Sequence, residues 1–515
     1  MPTTSPILYD LAIVGAGING AGIARDAAGR GLKVLLVEQD DISGATSQWS
    51  TKLIHGGLRY LEQFEFRLVR ESLAEREVLL HCAPHLVAPL AFVLPHEPHL
   101  RPAWMIRAGL FLYDHLGRRE TLPGSFGVDL AGSSWGAGLK PKFHKGFVYA
   151  DARVDDARLV VTNVMAANQL GADVRVGTKL SAATRDGDHW RVSLTEMSGT
   201  RHIVSARTIV NAAGPWVKEV RDLVSRSPAR ENVRHVKGSH IVVPRVHPEA
   251  HAYILQNADN RIVFVIPFEE DFSLIGTTDV AVEQFEKPEI TADEIAYLLD
   301  LANSYLARPL TVADIVWTFS GVRPLFDDGA ADPSAITRDY VLKIDSRQNA
   351  GDDQPGAPIL SIFGGKLTTY RKLAEHALAE LKPFLPSMGP AWTERVPLPG
   401  GDLPAGGLAA WTAELGRRYP ALPQGMRLGV ARRHGSLAPA ILGTAKTAAD
   451  LGENFGQGLT AAEIDYLVRE EWARNADDIL WRRTKCGLAM TVAERERVAM
   501  YVARAAVTRG TAQPA

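Results

Sequence analysis

The 515-residue chain reads as a mixed α/β protein with three parts. These are a dinucleotide-binding half, a second domain built on a β-sheet, and a helical C-terminal domain. Three observations predict this. A strand, a glycine-rich turn, a helix and a second strand fill residues 10–40. Short apolar strands follow one another between residues 234 and 280. After about residue 388 a Pro- and Gly-rich stretch, PLPGGDLPAGG, gives way to helical patterning that runs to the end.

The first unit is DLAIV (10–14), GAGINGAG (15–22), IARDAAGRG (23–31) and KVLLVEQD (33–40). It forms a βαβ pattern of about 30 residues. Gly15, Gly17 and Gly20 match GxGxxG. The first glycine allows the tight turn, the second lets a pyrophosphate approach the backbone, and the third lets helix and strand pack closely. The helix start then offers unpaired N–H groups and a positive dipole end. Glu38 closes the second strand and is expected to accept hydrogen bonds from an adenosine ribose; its charge disfavours a 2′-phosphate there.

Further along, residues 64–81 carry a helical pattern rich in Arg and Glu. Residues 155–176 read as helix then strand, and 181–210 as an antiparallel meander leading into NAAGPW. The strands HVKGSHIVVP, AYILQ, RIVFVIPF and FSLIGTTD predict an antiparallel sheet. Thr291 and Glu294 form a possible capping box for a helix over 291–306. In the C-terminal part Thr460 and Glu463 repeat that signal, with Ile464, Leu467 and Val468 on one face.

Composition excludes several classes. The chain is 46% hydrophobic and 23% charged with formal net charge −2, so a whole-protein nucleic-acid binder is not expected. Its two cysteines, Cys82 and Cys486, have no metal-ligand spacing; no metal is expected, and the thiols fit a reducing compartment. The N-terminus lacks the pattern of a signal peptide. No run reaches the roughly 18 apolar residues of a membrane span. A cytoplasmic location is expected.

Two glycine turns far downstream decide between nicotinamide and flavin cofactors. NAAGPW places the small Ala212, Ala213 and Gly214 after a strand. FGGKLTTYRKL turns a buried strand at Gly364 and Gly365, and a helix begins near Leu367. A long cofactor needs such distant contacts, so an extended FAD is expected. The positive helix start with Lys366 suits the negative charge of a reduced flavin.

The stretches VGAGINGAGIARDAAGRGL, KLIHGGLRYLEQFEFRLV, KGSHIVVPR, SGVRPL, AITRDY, FGGKLTTYRKLAEHAL and ADDILWRRTK extend well beyond a dinucleotide fingerprint. Through them the chain closely resembles the FAD-dependent glycerol-3-phosphate dehydrogenases of aerobic bacteria, over roughly residues 8–510. The resemblance implies a Rossmann-type FAD-binding domain of the D-amino acid oxidase-like class. Its FAD-binding segments are about 8–80, 148–230 and 320–390, with substrate-domain segments at about 82–147 and 231–319. Residues 1–390 form this oxidoreductase region and 391–515 the C-terminal helical domain. The implied reaction oxidises sn-glycerol 3-phosphate to dihydroxyacetone phosphate by hydride transfer from C2 to FAD, with electrons passed to a membrane quinone. The rivals are a glycerol-3-phosphate oxidase using O₂ and a related amino-acid oxidase. The implied location is the inner face of the cell membrane, bound peripherally, and a homodimer is plausible.

The same resemblance assigns residues. Arg59 and Arg323 are candidates for the substrate phosphate, because the guanidinium fork suits it. His240 or His55 is the candidate base, since a neutral imidazole takes a proton near pH 7, and His55 is alternatively a flavin contact through side chain or backbone. Lys366 either polarises the alcohol or contacts the flavin. Thr46 and Ser47 are assigned to the pyrophosphate or ribityl chain, and Val176 to adenine through its backbone. Lys52 is expected to face the cofactor or the alcohol, and Gly56 and Gly57 to let backbone approach the ring. Gly214, Gly364, Gly365, Leu367 and Thr368 complete the cofactor set. For the membrane, WMIRAGLFLYDHLGRR (104–119) is either a buried helix, the favoured reading, or an interfacial one flanked by Arg101, Arg107, Arg118 and Arg119. The basic WRRTK (481–485) is a second candidate.

Overall fold

The computed structural model describes residues 7–97, 101–117, 119–224, 232–257, 261–327, 339–347 and 355–510. Arg118 and residues 335–338 of the AITRDY stretch lie outside them. The chain begins with β1 (Leu8–Val14), α1 (Ile18–Gly29) and β2 (Val34–Glu38). Next come β3 (Leu53–Ile54), α2 (Phe66–Cys82), β4 (Val87–Pro95), α3 (Ala103–Leu116), β5 (Phe126–Asp129) and β6 (Lys145–Val154). They lead to α4 (Asp156–Gln169) and β7 (Asp173–Val176). The meander is β8 (Thr178–Asp186), β9 (His189–Glu196) and β10 (Arg201–Asn211), followed by α5 (Val217–Val224). The next strands are β11 (Asn232–Pro244), β12 (Ala252–Gln256), β13 (Ile262–Phe268), β14 (Phe272–Gly276) and β15 (Val280–Ala281). Then follow α6 (Ala292–Tyr305), β16 (Trp317–Asp327), β17 (Val341–Arg347), β18 (Pro355–Phe363) and α7 (Tyr370–Leu381).

Two sheets organise these elements. The first runs β17-β18-β10-β1-β2-β7, with β9 on β10 and β8 on β9. Its centre is parallel, β18, β10, β1, β2 and β7 all pointing one way. Helices α1, α4 and α7 cover one face through Ile23, Val160, Val164, Leu373 and Leu378. Near-continuous apolar strands such as VLLVE follow from that two-sided burial. The second sheet runs β15-β11-β14-β13-β12-β4-β6-β3, with β16 on β11 and β5 on β6. It is antiparallel apart from the β12–β4 pair. Helix α6 fills one face, and α2 and α3 pack on the other. All of β6 and β16 belong to this sheet. The sequence division at 148 and 320 therefore cuts within two of its strands.

Beyond residue 400 the chain is mostly helical, with a small ladder between Asn454–Gly456 and Leu459–Thr460. The α6 capping box forms as expected between Thr291 and Glu294. The second one forms by half. The Thr460 hydroxyl accepts from the Glu463 N–H, but the Glu463 carboxylate turns to Arg433 and His434 instead.

The favoured reading of 104–119 as a buried helix is corrected. Within α3 only Leu110 and Tyr113 are buried, whereas Trp104 is 69% and Phe111 59% exposed, with Met105 and Leu112 also outside. Phe64 and Phe66, at the start of the neighbouring α2, are exposed as well. The WRRTK reading is corrected too. Arg482 and Arg483 pair with Asp41, and Lys485 pairs with Asp155, so these cations face inward rather than toward a lipid surface. No helix among the described residues is long and apolar enough to cross a membrane.

Candidate active site

Five strand ends converge at the C-terminal edge of the parallel sheet. In register, Val14 neighbours both Asn211 and Val37, Glu38 neighbours Val176, and Asn211 neighbours Ser361. Glu38 and Val176 end two of these strands, and the loops that leave this edge carry Gly15, Gly214 and Gly364. Ligands of open α/β sheets bind at such an edge.

The glycine loop is built as its spacing predicts. Gly15 has φ +99°, and a Cβ there would lie 2.7 Å from the Ala212 carbonyl oxygen. A Cβ on Gly20 would lie 1.9 Å from the Gly15 oxygen, so the third glycine allows the loop to fold against its own helix. Gly17 caps α1 in an extended conformation, and beside it the Ser47 hydroxyl accepts from the Ile18 N–H at 3.0 Å. The first-turn N–H groups of Asn19 and Gly20 make no hydrogen bond among the described residues. Glu38 accepts from the Ala16 and Asp40 N–H groups at 2.8 and 2.9 Å. Burial pushes its carboxyl up to about 7 despite those two bonds.

Asn19 was invisible as a site residue in the sequence, because it occupies a spacer position of the glycine motif. Its amide donates to the Gly364 oxygen at 3.0 Å, tying the start of α1 to the distant turn. Its Oδ1 is buried without a hydrogen-bond partner. An orphaned acceptor, free helix-start amides and a bare glycine backbone together fit a pyrophosphate-containing cofactor with hydroxyls nearby. The Thr46 hydroxyl, next to Ser47, donates to the Val322 oxygen at 2.6 Å.

At the other end, Gly364 and Gly365 have φ +72° and +104°. Lys366 lies 3.8 Å over the Tyr60 ring, and a 3-10 turn (Leu367–Thr369) leads into α7. The His55 N–H donates to the Thr368 hydroxyl at 3.3 Å, which joins β3 to this turn. His55, Lys366, Leu367 and Thr368 thus come together, with Tyr60, the residue after Arg59, beneath the Lys366 ammonium. His55 is half-buried, and its hydrogen bonds among the described residues run from its backbone to the Thr368 hydroxyl. Burial lowers its pKa; Asp151 opposes this, while Lys366 and Arg76 reinforce it. Burial thus disfavours the charged ring. Arg59 is half-buried and makes no hydrogen bond or ion pair among the described residues.

The other assigned residues have partners of their own. His240 is 1% exposed, with Nε2 3.1 Å from the Thr51 hydroxyl and its ring stacked on Phe319 at 4.7 Å. Burial, with Arg323 and Lys52 nearby, holds its pKa well below the usual histidine range. Arg323 pairs with Asp279 and donates to the Thr277 hydroxyl at 3.2 Å. The expectation for Lys52 is corrected. Its ammonium is buried 2.8 Å from Asp156 and donates to the Gln48 oxygen, leaving nothing to offer a cofactor. Gly56 and Gly57 also have internal reasons to be bare. A Cβ on Gly56 would lie 2.4 Å from Leu73, and one on Gly57, at φ +77°, would lie 2.2 Å from the Tyr60 ring.

Comparison with known proteins agrees with this architecture. Residues 10–349 match the family model described as FAD dependent oxidoreductase. Residues 391–508 match the C-terminal domain of alpha-glycerophosphate oxidase. The chain is 52% identical to the aerobic glycerol-3-phosphate dehydrogenase of Escherichia coli strain K12, covering 96% of this chain and 97% of the relative. It is 48% identical to the D-erythritol 1-phosphate dehydrogenase of Brucella abortus, over 95% and 97% of the two chains. Among solved structures, the glycerol-3-phosphate dehydrogenase of Bacillus halodurans complexed with FAD aligns with TM-score 0.74 at 26% identity, covering 98% of this chain and 91% of that one. The chain therefore belongs to the FAD-dependent oxidoreductases, in the bacterial glycerol-3-phosphate dehydrogenase family.

Proposed function

We propose that this protein oxidises sn-glycerol 3-phosphate to dihydroxyacetone phosphate, with FAD as first electron acceptor and a membrane quinone as the onward oxidant. The observations that support the reading are Arg59, a half-buried cation four residues after His55 with no hydrogen bond or ion pair among the described residues, and His55 itself, half-buried and anchored at Thr368 with Lys366 close enough to act on its charge. A secondary alcohol beside a phosphate needs those two groups, one to hold the dianion and one to take the hydroxyl proton. The Gly15–Gly20 loop and the Gly364–Thr368 turn would hold FAD, which when bound would supply the acceptor for the hydride of C2. Ser47, Glu38, Val176 and Asn19 hold its nucleotide side, and Lys366 places a cation near the opposite end. Arg59 fixes the phosphate, so C2 and its hydroxyl are oriented before the proton moves to His55. Of the two candidate bases His55 is favoured, because His240 is sealed beneath Thr51 and Phe319.

A peripheral membrane location is supported by the outer face of α3. Trp104, Met105, Phe111 and Leu112 form an uncovered apolar surface with the exposed Phe64 and Phe66 nearby, larger in kind than scattered surface hydrophobes. Arg101 and Arg107 on the same segment suit anionic headgroups.

The test is anaerobic. Adding sn-glycerol 3-phosphate to the FAD-loaded protein bleaches the flavin band at about 450 nm. D-erythritol 1-phosphate runs alongside, because the Brucella relative is named for it. Bleaching only by the erythritol ester overturns the assigned substrate, and bleaching by neither overturns the reaction. Fast reoxidation by O₂ but not by a quinone analogue would make the protein an oxidase.

A further inference from the structure

We propose that Tyr113 and Asp151 are positioning residues for His55, holding the His55–Gly57 loop through a single peptide N–H. This rests on the reading of His55 as the base. Three polar groups are buried beneath the loop. The Gly56 N–H donates to the Tyr113 hydroxyl at 2.8 Å, with the Asp151 carboxylate at 3.4 Å. The Tyr113 hydroxyl donates to the same carboxylate at 2.8 Å. Arg76 closes the set, donating to Asp151 at 2.6 Å and to the Ala150 oxygen at 3.2 Å.

The arrangement is costly as mere packing. Asp151 is 1% and Arg76 4% exposed. A buried ion pair is weak evidence of stabilisation, since apolar residues of similar volume often do as well. What this one adds is direction. The carboxylate, the hydroxyl and the loop N–H lie in one chain from α2 through β6 and α3 to the residue after His55. Gly56 has no room to move toward α2 or α3, because Leu73 and the Tyr113 hydroxyl both fill the space a side chain would take. The other side of the loop is fixed by Thr368. His55 is thereby held between two anchors.

The network also sets the charge around the ring. The groups that act on His55 are Asp151 on β6, Arg76 on α2 and Lys366 in the turn after β18. Asp151 is the only anion among them, and it favours the imidazolium that forms when the ring takes a proton.

The test uses the full-length, FAD-loaded protein. Tyr113→Phe keeps the ring and removes the hydroxyl. We expect FAD content and thermal midpoint to stay near wild type while the maximal rate of flavin reduction by sn-glycerol 3-phosphate falls about 10- to 100-fold, with little change in half-saturating substrate. Asp151→Asn removes the anion, so the acid limb of the reduction-rate profile moves to lower pH. A change in packing alone would not move that limb. Native rate in Tyr113→Phe, or an unmoved limb in Asp151→Asn, overturns the proposal. Should Asp151→Asn fail to fold, the Tyr113→Phe rate decides alone. His55→Gln separates the two levels. If it keeps the wild-type rate, the base reading fails; if it abolishes reduction while Tyr113→Phe is native, only the positioning proposal fails.

Discussion

Replacing Lys52 by Met tests whether this lysine serves the fold or the cofactor. Its ammonium donates to both Asp156 oxygens at 2.8 and 2.9 Å and to the Gln48 oxygen at 2.8 Å. Asp156 is 0% exposed and opens α4. Methionine fills the space of the stem but strands the carboxylate. Removing one partner of a buried pair costs about 3–5 kcal/mol. The low end applies, because Asp156 still accepts from the Ser50 hydroxyl and the Ala157 N–H and lies at a helix start. An unfolding entropy of about 2.1 cal/mol/K per residue gives about 1.1 kcal/mol/K for 515 residues unfolding as one unit. The midpoint should therefore fall by about 3 °C, read by circular dichroism on the holoenzyme. Lys52→Met with Asp156→Asn should recover part of that loss, because the stranded charge is gone. The FAD dissociation constant should not change. A weakened FAD affinity with an unmoved midpoint would refute the reasoning and return Lys52 to the cofactor.

Three other outcomes follow from the same geometry. Gly20→Ala puts a methyl 1.9 Å from the Gly15 oxygen; an overpacking cost of about 1–3 kcal/mol should weaken FAD about 5- to 150-fold by fluorescence titration. Trp104→Glu with Phe111→Glu should lower co-sedimentation with anionic vesicles while leaving anaerobic reduction by substrate intact. Burial would raise the Glu471 carboxyl, but Arg158 and His434 outweigh it and hold the pKa at about 2. Its contribution to stability is thus full above the ordinary glutamate value of 4.5 and is lost as pH falls toward 2, which an acid titration of Glu471→Gln against wild type should show as a smaller acid dependence in the variant.

The parts legible in the sequence were those where backbone geometry dictates residue type. Gly15, Gly20 and Gly365 sit where a side chain cannot fit, so their spacing announced the cradle. The strands of both sheets carried their own periodicity. Lys52 misled because a cation beside a glycine loop looks the same whether its partner is a ligand or Asp156, 104 residues away. Asn19 left no trace, because the motif places no demand on its position. The Arg76–Tyr113–Asp151 set was equally silent, since its members lie on α2, α3 and β6 and meet only after folding. For α3, apolar content predicted a helix but not which side of it the rest of the chain would cover.

The C-terminal helices bear on how the protein can be cut. Arg158 of α4 is completely enclosed and pairs with Glu471, with its Nε donating to the Arg433 oxygen. Asp41, three residues after Glu38, pairs with Arg482 and Arg483, and Asp155 pairs with Lys485. One apolar cluster runs without a break from Ile23 and Val160 to Val430, Ile464 and Ile479. A gene shortened to residues 1–390 would expose that cluster and leave an arginine and two carboxylates without counter-charges, beside the loop that follows the expected ribose contact. Two modules in sequence are one object in folding, and a shortened protein should emerge insoluble and free of flavin.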